Sequence, residues 1–359
     1  MKNLDRIYVD FHVIQTVPPS CVNRDDTGSP KTALYGGVRR ARVSSQSWKR
    51  AMRKMFCENL DEKDLGIRTK SVIGLVKEEL LNLEADMPEQ DAELLAERVV
   101  KASGLSTEKK KNEDEEKTKA LFFISRTQAH NLAAYILTHQ NVADKDVKKE
   151  AKKLINQNHS VDIALFGRMV ADDPSLNADA SAQVAHSIST HRVDNEYDYF
   201  TAIDDLAPED NAGAGMIGVV EYNSSTMYRY ATVAVHNLVR NWAVKKKQRL
   251  LPLANLPRPL FSRCRTLPDA VLVTIRRDQP INLVGAFEEP VRTVEGGYVK
   301  PSIARLNKYA EQVYSQYVDA PEKAWAIGME GKAESVNMKE LLQELQDVLI
   351  HDMESLAKE

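Results

Sequence analysis

The densest concentration of chemically capable side chains lies between Thr27 and Cys57, where Lys31, Arg39, Arg40, Arg42, Lys49, Arg50, Arg53 and Lys54 occur with no acidic residue among them. Such a run suits a polyanion, because cations neutralise phosphates and release counterions whatever the base sequence. The whole chain carries a net charge of −3, so everything outside these eight cations carries −11. Part of that negative charge is equally concentrated. From Val193 to Tyr228 there is no Lys or Arg, whereas Asp194, Glu196, Asp198, Asp204, Asp205, Glu209, Asp210 and Glu221 are acidic. One chain thus owns a strongly positive and a strongly negative element, which fits a polyanion site, a self-complementary assembly, or both.

Other chemistries have less support. Asp25-Asp26 and Asp204-Asp205 are paired carboxylates of the kind a metal-dependent nuclease uses to hold Mg2+, but such pairs also solvate turns. His186 and His191, five apart, do not share a helical face and are not read as metal ligands. Gly213, Gly215 and Gly218 spell G-x-G-x-x-G, yet they follow a polar loop and precede a strand, so no helix N-terminus would face a phosphate. That segment reads as a hinge. No G-x-S-x-G, H-E-x-x-H or P-loop pattern is present, and Cys21, Cys57 and Cys264 form no C-x-x-C pair, so no catalytic residue, metal or cofactor is expected.

The elements that must position the cations follow from periodicity. Ile7, Val9, Phe11 and Val13 alternate with Tyr8, Asp10 and His12, the pattern of a half-buried strand. A polar loop through Pro18, Pro19 and Asn23 to Pro30 follows, then Gly36-Gly37 and VRRARV. Ser44 or Ser45 is a natural N-cap for the helix SQSWKRAMRKMF. At about 100° per residue, Trp48, Ala51, Met52 and Met55 form one face, with Lys49, Arg50, Arg53 and Lys54 opposite. Segments SVIGLVKEELL, PEQDAELLAERVVKAS, KALFFISRTQAHNLAAYIL, DKDVKKEAKKLIN and SVDIALFGRMVAD read as helices, and the mixed-charge run STEKKKNEDEEKTK as a solvated loop. VVEYNSSTMYRYATVAV and DAVLVTIRRD read as strands, PINLVGAFEEPV as strand or strand and turn, and PSIARLNKYAEQVYSQYV and VNMKELLQELQDVLIHDMESLA as closing helices.

The run PSCVNRDDTGSPKTALYGGVRRARVSSQSWKRAMRK, with VDIALFGRM, STHRVDNEYDYFTAIDDL, STMYRYATVAV and LVGAFEEPV, resembles the CasC family, the backbone subunit of the type I-E CRISPR Cascade complex. The resemblance implies an α+β fold: an RRM-like (ferredoxin-like) palm with inserted helical fingers and a β-hairpin thumb. Residues 1–58, 181–192 and 219–359 would be palm, 59–180 fingers and 193–218 thumb. It implies a non-catalytic protein that stacks head to tail along a CRISPR RNA, with other Cascade subunits, and presents the guide to target DNA. Arg24, Lys31, Arg42, Ser44, Gln46, Lys49, Arg50, Arg53 and Lys54 would then grip the guide backbone, while Met169, Tyr199 and Phe200 would wedge at displaced bases. The alternative from another class is a metal-dependent endoribonuclease of the related superfamily using Asp25 or Asp26.

Resemblance lapses from Arg240 to Thr266, where three prolines and eight basic residues replace an acidic family helix. An irregular segment with at most short helical turns is expected over 243–260, through divergence or a frameshifted reading of residues 243–265. The absence of a long apolar run or a leader-like start points to a cytoplasmic protein with no membrane partner.

Overall fold

The computed structural model describes residues 6–109, 116–202, 216–241, 266–292 and 296–356. Its strands are β1 (Tyr8–Ser20), β2 (Thr32–Tyr35), β3 (Val38–Val43), β4 (Gly66–Thr69), β5 (Thr107–Glu108), β6 (Lys117–Thr118), β7 (Phe122–Ser125), β8 (Ala182–Val184), β9 (Ser187–Ser189), β10 (Glu196–Ala202), β11 (Met216–Ala234), β12 (Ala270–Arg276), β13 (Lys323–Ile327) and β14 (Glu334–Ser335). The helices are α1 (Ser45–Asn59), α2 (Val72–Leu83), α3 (Glu89–Ala102), α4 (Arg126–Thr138), α5 (Asp144–Ile155), α6 (Val161–Phe166), α7 (Val235–Asn241), α8 (Val299–Gln316) and α9 (Met338–Leu356). Two compact units result, the first from Met1–Met52, Val184–Thr232 and Leu253–Asp352, the second from Arg53–Gln183, Val233–Pro252 and Met353–Glu359. The fold is α+β.

The first unit is built on a large mixed sheet in the order β14-β13-β12-β1-β11-β9-β3-β2, with β10 paired to β11. β1 and β12 run antiparallel, placing Asp10 opposite Thr274 and Phe11 opposite Val273. The alternation in β1 predicts one wet face, but both faces are buried. Ile14, Ala270 and Leu272 pack with Leu306, Ala310 and Val313 of α8, which therefore covers Asp10 and His12 as well. Asp10 and the Nδ1 of His12 are buried with partners, whereas His12 Nε2 is buried without one among the described residues. The Asp10 carboxylate accepts from Tyr230 OH (2.9 Å) and Ile281 N (2.9 Å), and His12 Nδ1 meets Tyr228 OH at 2.8 Å. Burial pushes the Asp10 carboxyl up and the His12 imidazole down to about 3. On the opposite face Trp325 donates its indole N–H to Glu344 of α9 at 2.8 Å. The strand also continues through Pro18 and Pro19, where a loop was expected.

The second unit gathers α2, α3, α4 and α5 around Val76, Leu80, Ala96, Val99, Leu132 and Ile136. Three sequence expectations change here and in the first unit. KALFFISRTQAHNLAAYIL divides into strand β7 and helix α4, because Ser125 and Gln128 form a reciprocal capping box that starts the helix after the aromatic run. SVDIALFGRMVAD is helical only to Phe166. PINLVGAFEEPV forms a 3-10 helix over Leu283–Phe287, where the Asn282 side chain accepts from Val284 N and competes with an extended backbone. The described flanks of the mixed-charge run pair as β5 and β6. The expectation for 243–260 lies outside the described residues, as do Gly213, Gly215, Asp204, Asp205 and Cys264.

Candidate nucleic-acid interface

The cations of the first unit are placed by a short stack of extended segments. Lys31 N donates to Asn23 O (2.8 Å), and Arg42 N donates to Lys31 O (2.9 Å), so Asn23, Lys31 and Arg42 lie side by side. Arg24 forms an antiparallel bridge with Pro30 in the same layer. The β2–β3 hairpin closes through Gly36 and Gly37, both at positive φ (59° and 75°), as a two-residue turn of this hand demands. A Cβ on Gly36 would lie 1.6 Å from the Glu288 carbonyl oxygen. Arg40, buried and drawn from the same basic run, is not available to a ligand: it donates to the carbonyls of Tyr35, Ser189, Phe287 and Glu288 and so locks the hairpin to β9 and the 3-10 helix.

Helix α1 begins where its sequence says it must. Ser44 occupies the N-cap, its Oγ accepting from Ser47 N at 3.4 Å, while Asn23 Oδ1 accepts from Ser44 N at 2.9 Å. Trp48, Met52 and Phe56 are buried, with Lys49, Arg50, Arg53 and Lys54 opposite. The Arg229 guanidinium stacks 3.6 Å from the Trp48 ring centre, and Trp48 Nε1 donates to Ser187 Oγ at 3.0 Å, so the apolar face is pinned to the sheet. Gln46 and Arg50 are exposed; Lys49 is half-buried, and burial pushes its ammonium pKa down.

In the second unit the cations of α1 part company. Lys54 is exposed. Arg53 is engaged with protein: Nε pairs with Asp162 Oδ2 at 3.0 Å, Nη2 donates to Gly66 O at 3.0 Å, and the guanidinium carbon lies 4.4 Å from the Phe123 ring centre. Asp162 is thus an acid partner for Arg53 from outside the helix, and nothing in the spacing of Arg53 and Asp162 signals it.

Met169 is 86% exposed. Its neighbours explain how. Gly167 ends α6 at φ 76°, where a Cβ would approach the Ala178 carbonyl to 2.8 Å. Arg168 turns inward and is buried, donating to the carbonyls of Leu176, Phe123 and Ile155. Burial pushes its pKa down to about 10. Gly stops the helix, Arg anchors the loop, and Met is left outside. Tyr199 and Phe200, by contrast, point to opposite faces of the β10–β11 hairpin, as consecutive strand residues must. Tyr199, opposite Val219, shares an exposed apolar face with Tyr197 and Ile217, whereas Phe200 packs over Gly218.

The Asp25 carboxylate accepts from Thr27 N (3.0 Å), Thr27 Oγ1 (2.7 Å) and Ser29 N (3.0 Å), and the Thr27 hydroxyl bond is the main reason its pKa is lowered. It closes a turn. His191 stacks on Tyr298 with ring centres 3.6 Å apart, and His186 Nδ1 lies 3.1 Å from Arg42 Nη1. His186 is not among the sequence-predicted site residues, because its place beside Arg42 depends on β9 pairing with β3.

The first unit is thus a large mixed sheet that carries a basic helix and a basic strand near its edge, and the chain belongs to the CT1975-like protein family, whose pattern it matches over residues 9–351. It is similar to a chain of a structure solved as "CRISPR RNA-guided surveillance complex, pre-nicking", with 30% identity and a TM-score of 0.79 over 95% of this chain and 100% of that one. A chain from another "CRISPR RNA-guided surveillance complex" gives 29% identity and a TM-score of 0.72 over 95% and 99%. Among curated proteins, none matches.

Proposed function

We propose that this chain is the non-catalytic RNA-binding backbone subunit of a type I-E Cascade complex. Copies stack head to tail along a CRISPR RNA and present it, with the other Cascade subunits, for pairing with target DNA in the cytoplasm. The observation that carries the reading is the group of Arg24, Lys31, Arg42, Lys49 and Arg50 around the start of α1, in a chain whose likeness to subunits of RNA-guided surveillance complexes spans almost its full length. In this reading the first unit holds an RRM-like palm and a hairpin thumb, and the second the fingers. Backbone contacts suit the task, because a guide of arbitrary sequence must be held without reading its bases. Met169 and the apolar hairpin face add contacts indifferent to base identity. No helix among the described residues is long and apolar enough to cross a membrane.

The test is co-purification of the chain expressed with a CRISPR repeat array, followed by sequencing of the bound RNA. Repeat-derived guides are the expected outcome. Random cellular RNA, or none, would refute the proposal.

A further inference from the structure

We infer that His186 is an RNA ligand, its imidazole completing an anion-binding group with Arg42 and Lys31. The inference rests on the RNA-binding reading above and adds to it a residue with its own chemistry. His186 is exposed and immediately precedes β9, whose Ile188 and Ser187 pair with Arg42 and Val43 of β3. Its Nδ1 lies 3.1 Å from Arg42 Nη1. A guanidinium has only donors, so the Arg42 N–H donates and Nδ1 must carry a lone pair. The imidazole is therefore the Nε2–H tautomer, neutral, with its one donor on the side of the ring away from Arg42.

The charged groups acting on this ring are Arg42 from β3 and Lys31 from the segment leading into β2. Burial first, then these two cations, hold its pKa below the usual imidazole range, so the free protein keeps it neutral near pH 7. A phosphate reverses that balance. It neutralises Arg42 and Lys31, accepts from Nε2–H, and favours a second proton on the ring, at which point the Arg42 bond to Nδ1 is lost and the guanidinium turns to the phosphate. Binding of a polyphosphate chain is then coupled to proton uptake. A ring that merely positions Arg42 would show no such coupling.

The experiment measures anisotropy of a labelled oligouridylate with the full-length protein at constant ionic strength, from about pH 7.5 to about pH 5.5. His186→Gln can still accept from Arg42 and donate to a phosphate but cannot titrate; His186→Ala can do neither. Wild type is expected to gain roughly three- to tenfold in affinity over that range relative to His186→Gln, and His186→Ala to be weaker by about threefold at the higher pH. Identical pH profiles for wild type and His186→Gln, with His186→Ala binding like wild type, would overturn the inference. Arg50→Glu with Lys54→Glu separates the two readings. If that pair abolishes binding while His186→Gln tracks wild type, only this inference falls; if wild type does not bind the oligonucleotide at all, both fall.

Discussion

Removing the Arg53 guanidinium should damage the fold of the second unit and leave nucleic-acid affinity nearly intact, although Arg53 sits among the cations of α1. Asp162 is 2% exposed, and its Oδ1 already accepts from Gly66 N, Ser160 Oγ and Ile163 N. Arg53 supplies the charge that compensates it, with a side chain 28% exposed. Stripping the partner from a buried carboxylate costs about 3 to 5 kcal/mol; partial exposure of Arg53 and the three remaining donors bring this to about 2 to 3 kcal/mol for Arg53→Ala. In a unit of this size that is a fall of roughly 5 to 10 °C in its melting temperature. Arg53→Lys keeps the charge but loses the fork and the stacking over Phe123, and should recover only part of it. Differential scanning calorimetry measures the melting temperature and anisotropy the RNA affinity of the folded fraction. An Arg53→Ala protein that melts with wild type but binds RNA tenfold more weakly would refute the argument and return Arg53 to the phosphate-binding set.

Arg50→Glu with Lys54→Glu, both exposed, should instead leave melting unchanged and weaken RNA binding severely. With about four phosphates neutralised per copy, log affinity should fall with log salt at a slope near −3, and the paired reversal should make that slope shallower by at least about 1.4; an unchanged slope would count against the basic helix. No RNA cleavage is expected with Mg2+ or Mn2+, and metal-dependent cleavage abolished in Asp25→Ala would establish the nuclease alternative. Gly36→Ala must both hold a positive φ and displace the Glu288 carbonyl, so it should cost more than about 2 kcal/mol by urea titration, against about 1 kcal/mol for Gly37→Ala, which meets nothing within 4 Å; equal effects would contradict the packed turn. Burial lowers His12 to about 3 and His159 to about 4, so on acidification the unfolded chain binds protons near pH 6.5 before the folded one does. Stability should therefore decline as pH falls from about 6.5 toward 4, and a flat melting profile from pH 7 to 4 would refute it.

The helix α1 and its two faces were legible because 3.6-residue periodicity, a serine cap and a run of cations are all local. So were β11, β12, α8 and α9. What escaped was decided at long range. Asp10 and His12 look solvent-facing in a strand pattern, yet α8, some 290 residues on, covers them and partners come from β11. Charge counting groups Arg40 and Arg53 with Arg42 and Arg50; the carbonyls around Arg40 and the Asp162 carboxylate beside Arg53 come from distant segments that no local pattern announces. Tyr199 and Phe200 enter the site through resemblance, which does not say that β10 sets them on opposite faces of the hairpin. The role of His186 depends on β9 lying beside β3, a topological fact with no local signature.

β11 belongs at one end to the hairpin, paired with β10, and further along to the sheet, where Met227 and Tyr228 pair with β9. At about 3.3 Å per residue its 19 residues give an unbroken backbone of roughly 60 Å. A pull on the hairpin is therefore a pull along a strand flanked in the sheet by β1 and β9. Hydrogen bonds loaded in this way share the force in shear and do not open one after another like a zip. An arm made so can be loaded along its length without peeling away from its own sheet.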